Sequence, residues 1–158
     1  MRLAGLAAAA MLAMASGVQA QIAEAPTRTF GARDLFGLQQ ASDPQMRPDG
    51  GAVAYVRASN DIMSDNTRRS IWLVDLDSGA QSPIAAEGAA NLSPRWSPDG
   101  SRLAYVSAGA QGAQLYVRWV ATGRTARVAS LEQAPNDIAW SPDGKTLAFS
   151  MLTLDEGR

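Results

Sequence analysis

The chain has 158 residues, with 14 Lys and Arg against 15 Asp and Glu, a formal charge of −1 and a pI near 5.3. That balance offers no basic field to nucleic acid or to an anionic membrane surface. With neither cysteine nor histidine, the chain cannot complete a disulfide, a thiol nucleophile, a Cys- or His-ligated metal site or a Ser-His-Asp apparatus.

The first element is an address. Met1-Arg2 is a short positive start, Leu3 to Ala15 is an apolar run, and Val18-Gln19-Ala20 puts small residues before Gln21. This pattern predicts a secretory signal peptide over 1–20, cleaved after Ala20, and a periplasmic or secreted mature chain. The run is too short for a bilayer needing ~20 residues, so no membrane association is expected after cleavage. Residues 21–45 follow as a lead-in with room for a short helix.

From residue 46 the chain repeats. Trp96-Ser97-Pro98-Asp99-Gly100 returns as Trp140-Ser141-Pro142-Asp143-Gly144, and Met46-Arg47-Pro48-Asp49-Gly50 is a weaker first copy, with spacings of 50 and 44. After each comes an aliphatic residue, Ala, then Tyr or Phe: Val53-Ala54-Tyr55, Leu103-Ala104-Tyr105 and Leu147-Ala148-Phe149. Proline pre-sets φ at a first corner, Asp bonds back to the backbone and Gly accepts positive φ. Each Pro48-Asp49-Gly50, Pro98-Asp99-Gly100 and Pro142-Asp143-Gly144 is therefore a predicted type I turn with a bulge.

The second half of each unit repeats too. Ser70 to Asp75 and Gln114 to Trp119 are strand-like runs ending at Asp77-Ser78-Gly79 and Ala121-Thr122-Gly123, and Gln81 to Ala85 and Thr125 to Ala129 are further strands. The six extra residues of the first unit lie within Arg57 to Arg69. There the Asn- and Asp-rich stretch Ser59 to Asn66 predicts a longer exposed loop.

Four short strands in a period of about 40–45 residues predict a propeller blade. Leu103 and Tyr105 alternate with Ala104 and Val106, apolar on both faces, as a strand between two neighbouring sheets requires. The fold class is all-β: a partial β-propeller of four-stranded antiparallel blades, about two and a half of them, filling 46–158 with units starting near 46, 94 and 137. Propellers close with four to eight blades, so the chain reads as the N-terminal piece of a longer protein.

No residue is assigned to catalysis, to a cofactor or to a metal. Asp75-Leu76-Asp77 spaces oxygens like a calcium loop, but Ala86 stands where the closing Glu belongs. Asp61, Asp65 and Asn66 read as a solvated loop, Asn91-Leu92-Ser93 as an idle sequon before Pro94, and the four tryptophans (Trp72, Trp96, Trp119, Trp140) as blade core. Asp155-Glu156 receives no role, and no Gly-x-Ser-x-Gly elbow occurs.

The repeat resembles the WD40-like, TolB-type β-propeller repeat, shared by TolB-type propellers and the N-terminal propeller of the prolyl oligopeptidase family of serine peptidases. The lead-in from Phe30 to Gln45 and the run Arg68 to Asp75 are similar to exported acylaminoacyl- and dipeptidyl-peptidase members, and the likeness covers about Arg28 to Ser150. The resemblance implies further blades and an α/β-hydrolase domain, absent from this chain, that cuts peptides admitted by the propeller. The alternative it leaves is a TolB-like periplasmic propeller that binds proteins. Only about 25 residues separate Gln21 from the first repeat, too few for the extra N-terminal domain that TolB-type proteins carry.

Overall fold

A computed structural model describes residues 29–85, 90–110 and 112–153. The expected signal peptide and its cleavage point lie outside them, as does Asp155-Glu156. Among these residues a single helical turn, α1 (Asp34–Gly37), precedes ten strands: β1 (Gln39–Met46), β2 (Ala52–Asp61), β3 (Asn66–Asp75), β4 (Gln81–Ala85), β5 (Ala90–Trp96), β6 (Arg102–Gly109), β7 (Gly112–Trp119), β8 (Thr125–Leu131), β9 (Asn136–Trp140) and β10 (Leu147–Ser150). No helix among the described residues is long and apolar enough to cross a membrane.

The strands form two four-stranded antiparallel sheets in chain order, β1-β2-β3-β4 and β5-β6-β7-β8, and a hairpin of β9 with β10. The first sheet opens at Gln39, so β1 occupies the end of the stretch read as lead-in, and the leading strands start at 39, 90 and 136. β1 lies against β5 and β5 against β9, whereas β4 and β8 flank β3 and β7 at the far edges.

Alternation along β6 feeds two cores. Leu103 and Tyr105 pack with Ala54, Val56 and Ile71 of the first sheet. Val106, with Ala113 and Leu115, packs against Ile138 and Leu147 of the third unit. The central strand is thus covered on both faces, and each fully buried aliphatic such as Ile71 contributes about 1.5–3 kcal/mol. Ala54 and Ala104 are wholly buried. Ala148, the third copy, is exposed among the described residues.

The structure corrects the reading of the stretch after Tyr55. Ser59 to Asn66 is not a loop: β2 and β3 stay in register to Asp61↔Asn66, leaving a tip of Ile62 to Asp65. In the second sheet the equivalent ladder stops at Gly109↔Gly112. The six extra residues therefore become two more cross-strand pairs and a longer tip, a projecting arm. Polar side chains close it: Thr67 Oγ1 donates to Asn60 Oδ1 (3.1 Å), the Met63 N–H donates to Asp61 Oδ1 (3.0 Å), and Asp65 takes φ 50°.

Candidate functional site

The Pro-Asp-Gly corners come first, because the sequence singled them out. In each, the glycine N–H donates to the carbonyl three residues back: Gly50 to Arg47, Gly100 to Ser97 and Gly144 to Ser141, at 2.8–2.9 Å. The glycines take φ of 76°, 68° and 66°, the type I turn with a left-handed bulge residue. Each aspartate Oδ1 accepts the N–H two residues on, from Gly51, Ser101 and Lys145.

The serines of the two stronger copies serve those aspartates. Ser97 Oγ donates to Asp99 Oδ1 at 2.5 Å and accepts the Arg102 N–H at 2.9 Å. Ser141 repeats this with Asp143 and the Thr146 N–H. Ser97 is 0% exposed, so a substrate cannot reach it. In the first copy the Arg47 Nε takes the serine's place on Asp49, at 2.6 Å. The hydroxyls of Ser97 and Ser101 and the Ser101 N–H, all donating to one carboxylate, hold Asp99 down at about 2, the expected sign for donors that favour the charged form.

Successive corners stack. A Cβ added to Gly100 would lie 3.1 Å from the Arg47 side chain and 3.5 Å from Pro48 Cδ, and one on Gly144 would lie 3.5 Å from Pro98 Cδ. Around Gly50 nothing lies within 4 Å. Glycine at the second and third copies thus serves both the turn and the contact with the preceding turn.

Two tryptophans latch unit to unit. Trp96 Nε1 donates to the Gln45 carbonyl (2.9 Å), and Trp140 Nε1 to the Arg95 carbonyl (3.0 Å). Arg102 completes the second latch, its guanidinium 4.9 Å from the Trp140 ring and bonded to the Gly144 carbonyl at 2.8 Å. Trp119 departs from the expected core role: at the end of β7 it is 41% exposed. It borders a groove of about 360 Å3 with Val117, Trp140 and Phe149.

The leading strands carry a feature that sequence reasoning missed. Asp43, Ser93 and Asp137 all take positive φ, of 47°, 54° and 47°, each six residues before the aspartate of its corner. The ladders break register at these points, between Ser42 and Gln45 and between Leu92 and Arg95. Each is a β-bulge built on a residue other than glycine, a conformation Asp tolerates better than most. The first bulge brings the Asp43 carboxylate to Arg95 Nη1 of β5, which donates to its two oxygens at 2.9 and 3.0 Å. The signal available was that constant six-residue offset.

The outward face of the first sheet is lined by Pro44, Val53, Tyr55, Val74 and Gln81 around a shallow groove of about 400 Å3. The Arg57 guanidinium lies 3.8 Å from the Trp72 ring and donates to Tyr55 Oη (2.8 Å) and Gln81 Oε1 (2.9 Å). At the equivalent place in the second sheet, Tyr105 stacks on Tyr116 with centroids 5.5 Å apart, beneath the first sheet.

The remaining candidates are committed locally. Asp75 Oδ1 accepts the Ser78 N–H and hydroxyl, Asp61 Oδ2 faces Arg68 at 3.6 Å, and Asn91 is buried within β5. Each of these groups already has its partner inside the fold.

Antiparallel sheets of four strands, stacked through facing apolar sides and closed by one recurring Pro-Asp-Gly corner, define a β-propeller repeat protein. The chain belongs to the TolB beta propeller domain family, whose profile matches residues 50–157. It is similar to the uncharacterized peptidase YuxL of Bacillus subtilis, 31% identical over 127 residues that cover 80% of this chain and 19% of that protein. It is also similar to the Tol-Pal system protein TolB of Methylococcus capsulatus, 34% identical over 76 residues, 48% of this chain and 18% of that one. Among solved structures, the acylaminoacyl peptidase of Pyrococcus horikoshii superposes with a TM-score of 0.61 at 26% identity, over 72% of this chain and 17% of its own. The chain thus spans about a fifth of the length of these relatives.

Proposed function

We propose that this chain is the opening part of the propeller of an exported serine peptidase of the prolyl oligopeptidase family. In that reading its blades filter peptides for an α/β-hydrolase domain encoded beyond Arg158. One observation carries it. The likeness to the peptidase YuxL runs over 127 residues, more than the repeat region 46–158 contains, so it includes the lead-in as well as the blades. The likeness to TolB runs over 76 residues, a length the repeats alone can supply.

Export rests on Met1-Arg2, the apolar run to Ala15 and Val18-Gln19-Ala20. Mass spectrometry of the exported protein should find Gln21 as its first residue. The blade units starting near 46, 94 and 137 belong to the same proposal, with their leading strands beginning somewhat earlier.

The test is the full-length gene product. It should react with a serine-directed fluorophosphonate probe and release p-nitroaniline from short peptide anilides. A product that lacks both properties and co-purifies with envelope proteins would instead be the TolB-like binding module.

A further inference from the structure

The bulge in β1 re-aims Asp43 out of its own sheet, and its carboxylate meets Arg95 of β5 in charge-assisted hydrogen bonds. A single nitrogen, Nη1, makes both bonds and also donates to the Pro94 carbonyl at 2.7 Å. Gln45 Nε2 donates to the same carboxylate at 2.8 Å, and the pair is partly shielded from water. Arg95 stands four residues before the aspartate of its corner, and Asp43 six before the aspartate of its own. The Trp96 latch to the Gln45 carbonyl pins β5 to β1 beside the pair.

The next seam repeats the backbone without the charges. Trp140 latches to the Arg95 carbonyl as Trp96 latches to that of Gln45, so Ala139 stands to Ser93 as Arg95 stands to Asp43. Left-handed backbone therefore does not by itself require a carboxylate at the bulge. Aspartate goes with a basic partner there, and serine with alanine. In the third unit the aspartate returns. Asp137 has the φ of Asp43, 47°, and the β9–β10 ladder breaks register beside it, between Ala148 and Ser150. Its carboxylate meets the Ser150 hydroxyl at 3.4 Å and forms no ion pair among the described residues.

We propose that Asp137 is the acceptor for an arginine or lysine on the leading strand of the following unit, four residues before the aspartate of a fourth Pro-Asp-Gly corner. This rests on the reading above that further blades follow Arg158. β4 and β8 each lead to the leading strand of the next unit, and β1 lies against β5 as β5 lies against β9. The neighbour that reaches β9 is then the leading strand of that unit. The contact at Asp43 uses one cationic nitrogen, which either basic side chain supplies. Matched seams also favour one order of units, because an aspartate set against an alanine would hold a partly desolvated charge without a partner.

The coding frame past Arg158 is the first check. The residue four before the aspartate of its first Pro-Asp-Gly corner should be Arg or Lys, and any other residue there would overturn the proposal. The second check takes the full-length gene product with lysine at that place and treats it with a water-soluble carbodiimide. This reagent joins a carboxylate and an amine in contact as an amide, with loss of water. Peptide mass spectrometry should find Asp137 linked to that lysine within one chain, and Asp137→Asn should abolish the link. Arg95→Lys, treated likewise, should join Asp43 and sets the yield expected of a true pair. A lysine that links elsewhere, or not at all, would overturn the proposal. A frame with no fourth corner would overturn the continuation into blades and the proposal with it. A fourth corner and a hydrolase domain without the basic residue would overturn the proposal alone.

Discussion

At Gly50 and Gly100 the same letter answers to different constraints. Both take positive φ, so a β-branched replacement costs about 1 kcal/mol or more at either place. Only Gly100 is also pressed against Arg47 and Pro48. Gly100→Val should therefore lower the thermal midpoint more than Gly50→Val, and equal shifts in a melting experiment would contradict the stacking of corners. Asp99 makes a second prediction at this scale. Its carboxyl is held at about 2 against an ordinary 3.8, so the folded state binds its proton later than the unfolded chain. Its contribution is full above pH 4 and is lost as pH falls through about 2. Asp99→Asn keeps an accepting oxygen but cannot titrate. The melting difference between the native protein and the variant should therefore shrink between pH 4 and pH 2, and parallel curves would count against it.

Between elements, the tryptophan latches are the contacts most open to dissection. Trp140→Phe keeps the ring beneath Arg102 but removes the donor to the Arg95 carbonyl. A cost of about 0.5–1.5 kcal/mol is expected in urea unfolding. These latches mark where sequence reading stops. The corners were legible because Pro, Asp and Gly impose their conformations within four residues, and the strands because Leu103 to Val106 is apolar on both faces. The partners of the Trp96 and Trp140 indoles lie 51 and 45 residues away, beyond any local rule. The bulges at Asp43, Ser93 and Asp137 were hidden for a similar reason, since the first is braced by Arg95 from the next sheet. The arm was misread because Asn60, Asp61 and Asn66 have loop composition, yet two of them pair with Thr67 and Arg68 across a ladder.

For the whole molecule, the governing fact is chemical poverty. The chain holds no histidine, and its two corner serines are tied to Asp99 and Asp143. Residues 21–158 expressed alone should release no p-nitroaniline from peptide anilides above a buffer blank. Turnover that survives removal of host proteases would overturn the assignment of catalysis to another domain.

The guanidinium of Arg57 over Trp72 has a consequence in time. The first sheet precedes the second in the chain, and its outward face meets water for as long as any later partner takes to arrive. A bare Trp72 and Tyr55 would present a sticky aromatic patch throughout that interval. Arg57, bonded to Tyr55 and Gln81, sets a charged group over that patch from within its own sheet, which reduces the bare aromatic area offered to a wrong neighbour.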